Sequence, residues 1–195
     1  MISQSKSRTN TRKMLIIGAL GGISIFVVIS GLGTITLPVF RLTIMHIPVI
    51  IGAILEGPAV GMSIGLIFGL FSMYQNFTAP VLTSFIFLNP IIALIPRVMI
   101  GVVAYYSFTL FKKLFKKSSI ATGIAATLAT LTNTIGVLGL TYILYLDQYA
   151  AALNINKNAV AGTLLGVGLT NGIPEAIASA VITIPIVLAM LRIRK

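Results

Sequence analysis

Eleven of the fourteen basic residues fall in three clusters along this 195-residue chain, and long apolar stretches separate the clusters. The clusters are Lys6, Arg8, Arg12 and Lys13; Lys112, Lys113, Lys116 and Lys117; and Arg192, Arg194 and Lys195. Cationic residues beside apolar spans concentrate on the cytoplasmic side of a membrane. If all three clusters are cytoplasmic, the chain crosses the membrane an even number of times between each pair. The pattern therefore favours a multi-pass membrane protein with both termini in the cytoplasm.

The composition excludes the common classes of soluble protein. Hydrophobic residues make up 57% of the chain and charged residues 9%, whereas about 25% charged residues is usual in a soluble domain. The chain lacks the polar side chains that cover a globule in water, so its net charge of +11 does not indicate a nucleic-acid-binding domain. We therefore expect an integral membrane protein.

Six apolar segments of helical length fit between the basic clusters, four before the central cluster and two after it. They cover about residues 14–32, 43–55, 58–73, 84–111, 119–146 and 158–191. Outer loops are expected at residues 33–41, 74–80 and 147–157. The second helix is short for a membrane span, so we expect its neighbours to shield it. The prediction is one all-α transmembrane domain of residues 1–195: a basic N-terminal segment (1–13), a six-helix bundle (14–191) and a basic tail (192–195).

Glycines recur every four residues from the position just before the third predicted helix, at Gly57, Gly61, Gly65 and Gly69. This spacing places them on one face of the helix, where another backbone can approach closely. Such a stripe is typical of helix packing within one protein, and it also suits the docking of another membrane protein. The sequence alone leaves both interpretations open, although packing is the simpler one.

Arg97, Asn133 and Glu175 are polar residues inside the fourth, fifth and sixth predicted helices. Each lies 15–17 positions from the nearest basic cluster, which is about 22–25 Å along a helix. The three side chains therefore reach similar depths in the membrane. Polar and ionisable groups at such depths usually mark a pathway or a binding site. We expect them to meet in a chamber that is open to the outside.

Other polar residues lie on the same helical faces or near the outer side. The candidate substrate-binding residues are Arg97, Asn133, Asn171, Glu175, Asn89, His46, Tyr74 and Gln75. Two alternatives stay open. Arg97 and Glu175 can form a buried ion pair that holds two helices together, and His46 can be a satisfied polar residue at the outer end of the second helix.

The sequence contains no pattern of a catalytic or metal-binding site. It has one histidine, three scattered carboxylates and no cysteine, which leave no catalytic triad and no metal cluster. A GxxxxGK[ST] phosphate-binding loop is also absent. We therefore expect a protein that is not an enzyme, without cofactor or metal, whose energy for any uphill transport comes from an ion gradient or a partner.

The order of several motifs resembles the substrate-binding S components of energy-coupling factor (ECF) transporters. The motifs are the run His46–Pro58 with Gly61 and residues 65–69; Asn89-Pro90, Pro96-Arg97 and Gly101; Asn133-Thr134 and Leu138-Gly139; and Asn171 with Glu175. The resemblance implies a six-helix protein of the prokaryotic plasma membrane that captures a vitamin from outside. It also implies a transmembrane coupling protein and two cytoplasmic ATPases as partners, and outer loops that close over the ligand.

Within this family the chain looks most like the pantothenate-type members, with cobalamin and pyrimidine-precursor types as neighbours. A carboxylate ligand suits Arg97, because a guanidinium binds a carboxylate through two hydrogen bonds. Family members often dock to the coupling protein through Ala-x-x-x-Ala in the first helix. Here Ala19 is followed four positions later by Ile23, so the resemblance implies docking through Gly18, Ala19 and Gly22.

A stand-alone secondary transporter is the competing hypothesis. In this hypothesis, Glu175 carries a proton, and Arg97 changes the affinity of Glu175 for that proton. Such transporters commonly contain an inverted repeat. The sequence shows none, which argues against this hypothesis.

Overall fold

The structure is a computed structural model that describes the backbone of residues 2–31, 34–36 and 41–193 and the side chains of residues 11–31 and 44–193. Its helices are α1 (Ile2–Ile29), α2 (His46–Glu56), α3 (Pro58–Thr78), α4 (Ser84–Phe87), α5 (Pro90–Phe115), α6 (Ser118–Leu153), α7 (Lys157–Val167) and α8 (Ile173–Ile193). A π-helix, Gly168–Gly172, joins α7 to α8. The strands β1 (Thr34–Thr36) and β2 (Arg41–Thr43) form an antiparallel hairpin. The prediction of a helical membrane protein is confirmed.

Five helical segments in the described part of the chain are long and apolar enough to cross a membrane. They are Thr11–Ile29, Pro58–Thr78, Pro90–Phe115, Ser118–Leu153 and Lys157–Ile193. The sixth apolar helix, α2, has 11 residues, or about 16 Å at helical rise, which is roughly half the thickness of the hydrocarbon core. Residues 46–54 of this helix are all buried. The neighbouring helices therefore shield α2 from lipid, as its length led us to expect.

Glycine, proline and asparagine set two of the helix boundaries. Gly57 ends α2 with a φ of +100°, a conformation that favours glycine, and its N–H donates to the carbonyl of Ala53. Pro58 then begins α3, where its missing N–H leaves no hydrogen bond unmade. Asn89 caps α5, because its Oδ1 accepts a 2.9 Å hydrogen bond from the backbone N–H of Ile91.

Two helices run further outward than predicted, and the first helix begins earlier. The segment of residues 74–80 was predicted as a loop, but α3 continues to Thr78. The polar segment of residues 147–157 was also predicted as a loop, but α6 continues to Leu153 after a kink at Tyr145. Alanine, glutamine and leucine in this segment favour helix, and that preference outweighs its polar character. Helix α1 begins at Ile2, so the basic N-terminal segment is helical.

The first predicted outer loop contains the hairpin. Thr34 pairs with Thr43, and Thr36 pairs with Arg41, because β-branched residues favour paired, extended backbone. Pro38 and the rest of the connection between the strands lie outside the described residues, as do the side chain of Arg41 and those of residues 2–10.

The glycine stripe of α3 lies against the backbone of α5. The opposing pairs are Gly61 with Gly101, Gly65 with Arg97, and Gly69 with Ala93. A Cβ atom on Gly61 would lie 2.9 Å from the Cα of Gly101, and one on Gly65 would overlap the carbonyl oxygen of Arg97. Gly57 differs from these three, because a Cβ there would meet no heavy atom within 4 Å. At this position it is the positive φ that favours glycine. The close approach of the other three fixes the position of α5.

Contacts between helices bring Arg12, the lysine-rich end of α5 and the end of α8 to one end of the bundle. Arg12 Nη2 lies 2.8 Å from Glu56 Oε1, where α2 meets α3. Because α3 and α5 are antiparallel, this end of α3 lies beside the lysine-rich end of α5. Ile184 packs against Gly123, which brings the end of α8 beside the start of α6. This arrangement agrees with termini that are both cytoplasmic.

Two apolar clusters fill the interior among the described residues. The large cluster contains 19 buried residues, from α1, α2, α3, α5, α6 and α8. The small cluster contains six: Ile86, Ile92, Tyr149, Ala150, Val160 and Leu164. It lies at the outer ends of α5, α6 and α7, beside α4.

Candidate functional site

A layer of buried polar side chains lies between the two apolar clusters. It consists of Arg97 on α5, Asn133 on α6 and Glu175 on α8, which are 5%, 7% and 6% exposed. On α5, Ile92 belongs to the small cluster and Ile100 to the large cluster, so Arg97 lies where the two meet. We call these three residues the polar layer.

Helix contacts give the relative depths of the residues of the polar layer. Pro96 on α5 packs opposite Gly136 on α6, and Thr134 on α6 packs opposite Gly172 in the π-helix. Counted from these contacts along the antiparallel helices, Arg97 lies about two residues to the outer side of Asn133, and Glu175 lies about two residues to its cytoplasmic side. Arg97 and Glu175 therefore differ in depth by about 6 Å of helical rise, and their meeting in one chamber stays a prediction.

Three helices contribute contacts to the guanidinium of Arg97, and a fourth contributes a charge that attracts it. Its Nη1 donates a 2.7 Å hydrogen bond to the carbonyl of Ile92 on the same helix. Its Cζ lies 5.5 Å from the ring centroid of Phe68 on α3 and 5.1 Å from that of Phe87 on α4, within the range of cation–π attraction. The carboxylate of Glu175 on α8 interacts with it electrostatically. These contacts hold a cation inside the bundle.

Two atoms of the polar layer are buried without a hydrogen-bond partner among the described residues. They are Nε of Arg97, a donor, and Oδ1 of Asn133, an acceptor. A buried polar atom without a partner costs about 1–3 kcal/mol, and a bound polar ligand relieves that cost. The layer can therefore serve a ligand that carries a carboxylate together with a hydroxyl or amide N–H group.

Asn89 and Asn171 lie beside the polar layer, on its outer side. Asn89 is half-buried, its Oδ1 is used by the helix cap, and its Nδ2 donates to the hydroxyl of Tyr145 at 3.3 Å. Asn171 is half-buried in the π-helix, four residues before Glu175.

His46, Tyr74 and Gln75 are positioned differently from one another. His46 is fully buried at the start of α2. Tyr74 is 62% exposed on the outer surface of α3, so the structure does not bring it to the polar layer. Gln75 is half-buried in the last turn of the same helix.

Sequence reasoning missed the aromatic residues that contact Arg97 and the hydrogen bonds that attach α4. Ser84 Oγ donates to Asn76 Oδ1 at 2.7 Å and accepts from the backbone N–H of Val81 at 2.8 Å. These bonds join α4 to α3. The hydrogen bonds of α4 cannot be predicted from residue spacing, because their partners lie on separate elements. For the aromatic residues, the preference of arginine for aromatic faces was the available signal.

The predicted docking residues lie on an open face of α1. Gly18, Ala19 and Gly22 are exposed, and a Cβ on either glycine would meet no heavy atom within 4 Å. Ala19 also borders an apolar groove of about 400 Å³ between α1, α2 and α8.

Comparison with known proteins agrees with this architecture. The chain matches the profile of the family described as "ECF transporter, substrate-specific component" over residues 12–187. A Leuconostoc mesenteroides subsp. mesenteroides protein named Pantothenate transporter PanT is 33% identical over 143 residues, which cover 72% of this chain and 70% of that protein. A Lactococcus lactis subsp. cremoris protein named Pantothenic acid transporter PanT is 28% identical over 166 residues, covering 78% and 79%.

The relatives and the helices together place this protein in a membrane. Both relatives are bacterial, and several helices are long and apolar enough to span a bilayer, so this is a multi-pass protein of the prokaryotic plasma membrane. The family match covers most of the chain, including all of the polar layer. The chain therefore belongs to the substrate-specific (S) components of the ECF transporters.

Proposed function

We propose that this protein captures pantothenate from outside the cell as the substrate-binding subunit of an ECF-type ABC importer. The names of the two relatives support this choice of vitamin. The observation that carries the proposal is the buried guanidinium of Arg97, whose Nε has no hydrogen-bond partner among the described residues. A buried cation with a free donor suits an anionic ligand better than a neutral one.

Pantothenate offers groups that complement the polar layer. Its carboxylate accepts hydrogen bonds from Arg97 and shares the attraction of the guanidinium with Glu175. Its amide N–H and two hydroxyls are donors for Oδ1 of Asn133 and for the carboxylate of Glu175. Asn171 lies four residues before Glu175, so we propose that it binds the same ligand. Asn89, His46 and Gln75 complete the proposed lining of the binding site. Tyr74 is proposed only as a residue of the outer approach.

We assign the energy-coupling steps to partners. The family resemblance implies two cytoplasmic ATPases that hydrolyse ATP and a transmembrane coupling protein that links them to this chain, and the absence of a GxxxxGK[ST] loop from the sequence fits this assignment. The open face of α1 with Gly18, Ala19 and Gly22 is the proposed docking surface, since small residues let two helix backbones approach closely.

Calorimetry with pantothenate and pantothenol tests the ligand. Pantothenol is the alcohol analogue, which keeps the amide and hydroxyls but lacks the carboxylate. We expect the purified protein to bind pantothenate at least about tenfold more tightly, because a hydrogen bond to a charged group contributes about 1.5–3 kcal/mol. Pantothenate at one hundred times its Kd should also stabilise the fold by about 2.7 kcal/mol in a thermal-shift assay. Absence of pantothenate binding contradicts the proposal, and equal affinities contradict the role of Arg97.

Transport into liposomes tests the coupling. We expect uptake of labelled pantothenate when this chain is reconstituted with its ATPases, its coupling protein and ATP. The chain alone should bind without transporting. Uptake by the isolated chain under a proton gradient contradicts the importer and supports the secondary transporter.

A further inference from the structure

The short helix α4 connects the outer ends of α3 and α5, and hydrogen bonds fix its place. Ser84 opens α4 and is 3% exposed. Its Oγ is bonded to Asn76 on α3 and to the backbone of Val81. These bonds tie the first residue of α4 to the last turns of α3. The side chains of a single helical turn are thereby held in a defined direction.

Two phenylalanines of α4 have different surroundings. Phe85 packs on the small cluster, with its ring centroid 5.8 Å from that of Tyr145. Phe87 belongs to neither apolar cluster among the described residues. Its ring instead lies 5.1 Å from the guanidinium carbon of Arg97. Apolar packing therefore accounts for the position of Phe85. The position of Phe87 is better explained by its contact with Arg97.

The guanidinium of Arg97 has competing attractions. Glu175 attracts it from α8, and a guanidinium that turned fully toward this carboxylate would have fewer donors for a ligand. The carbonyl of Ile92 and the rings of Phe68 and Phe87 oppose that turn, because each favours the observed position. Phe68 is 1% exposed and part of the large cluster, so its position follows from packing. Phe87 also restrains the guanidinium of Arg97, but its own position does not follow from packing in either apolar cluster.

We propose that Phe87 is a positioning residue for the ligand carboxylate: through its contact with Arg97, it keeps Nε of the guanidinium directed to the ligand. The affinity for a carboxylate then depends on α4 as well as on the polar layer. The part of this proposal that concerns the ligand rests on the proposed function, whereas the part that concerns Arg97 does not.

Nuclear magnetic resonance of the ligand-free protein tests the contact. Arginine is labelled with ¹⁵N, and the Nε–H signal of Arg97 is the one that disappears in Arg97→Lys. A ring beside this group shifts its signal, so Phe87→Leu should move the signal toward those of the exposed arginines. Phe87→Tyr, which keeps the aromatic face, should preserve it, as should the matched control Phe85→Leu. An unmoved signal in a folded Phe87→Leu variant overturns the proposal.

Affinity measurements test the consequence for the ligand. We expect Phe87→Leu to weaken pantothenate binding about fivefold or more, the equivalent of one cation–π contact, and to leave pantothenol binding unchanged. Phe87→Tyr should retain the affinity of the natural chain. Equal losses for both ligands would mean that Phe87 only packs, which overturns the proposal. If the natural chain binds no pantothenate, the proposed function fails, and the magnetic resonance result alone decides the positioning role.

Discussion

Replacing Gly65 by alanine should separate α3 from α5 at the level of the polar layer. The added Cβ would lie 2.9 Å from the carbonyl carbon of Arg97 and 3.3 Å from the Cα of Val98, whereas ordinary contact begins at 3.4 Å. The helices must therefore move apart by at least about 0.5 Å, because both neighbours are backbone atoms. Overpacking of this kind costs about 1–3 kcal/mol, and the better helix propensity of alanine offsets about 1 kcal/mol. We expect Gly65→Ala to destabilise the protein by up to about 2 kcal/mol, and by about 1–3 kcal/mol relative to an alanine substitution without overpacking.

Reversible unfolding in mixed detergent micelles measures this change, and Gly139→Ala is the matched control. Gly139 lies within α6, and a Cβ there would meet no heavy atom within 4 Å. The control should therefore be unchanged or up to about 1 kcal/mol more stable. Since Gly65 lies against the carbonyl of Arg97, its variant should also bind ligand more weakly. A Gly65→Ala protein as stable as the control would refute the packing argument.

Three further variants test single interactions. Arg97→Lys keeps the charge but loses Nε and the planar fork, so we expect the protein to fold and the Kd for pantothenate to rise about tenfold or more by calorimetry. Ser84→Ala removes the hydroxyl bonded to Asn76 and leaves a buried acceptor, which should cost about 1–3 kcal/mol in the unfolding assay. Arg12→Gln removes the ion pair between Arg12, whose side chain is 57% exposed, and Glu56, whose side chain is 9% exposed; the free energy of unfolding should fall by about 1 kcal/mol, and by less at high salt.

Each of these predictions has an outcome that contradicts it, and two of the variants have a matched control. Unchanged pantothenate affinity in Arg97→Lys would favour a purely structural ion pair with Glu175. Ser63→Ala removes a hydroxyl that bonds only the carbonyl of Ala59 in its own helix, so its effect should be small; an equal effect in Ser84→Ala would contradict the attachment of α4. Lys13→Gln removes a neighbouring charge, and a loss as large as that of Arg12→Gln would assign the effect to net charge.

The number of membrane segments was predictable because it follows from local properties. Clustered lysines and arginines define the cytoplasmic side, and apolar runs define the spans. The depths of Arg97, Asn133 and Glu175 were predictable only to within about 6 Å, because a fixed rise per residue does not report how neighbouring helices are shifted along their axes. The shielding of α2 followed from its length alone. These features need no knowledge of which helices touch.

The remaining features depend on contacts between distant parts of the chain. Phe87 contacts Arg97 because Ser84 attaches α4 to α3, and no sequence period reports that arrangement. The extension of α6 to Leu153 was missed because polar residues were weighted above helix propensity. The π-helix was missed since its glycines suit ordinary helix packing equally well.

The two apolar clusters differ in size, and on the proposed function this difference favours one place of entry for the ligand. Among the described residues, six buried residues form the small cluster at the outer ends of α5, α6 and α7, and nineteen form the large cluster. Local opening begins in the least stable contiguous unit of a protein. We therefore expect the outer ends of α5, α6 and α7 to separate first, so that a ligand enters there while the large cluster stays packed.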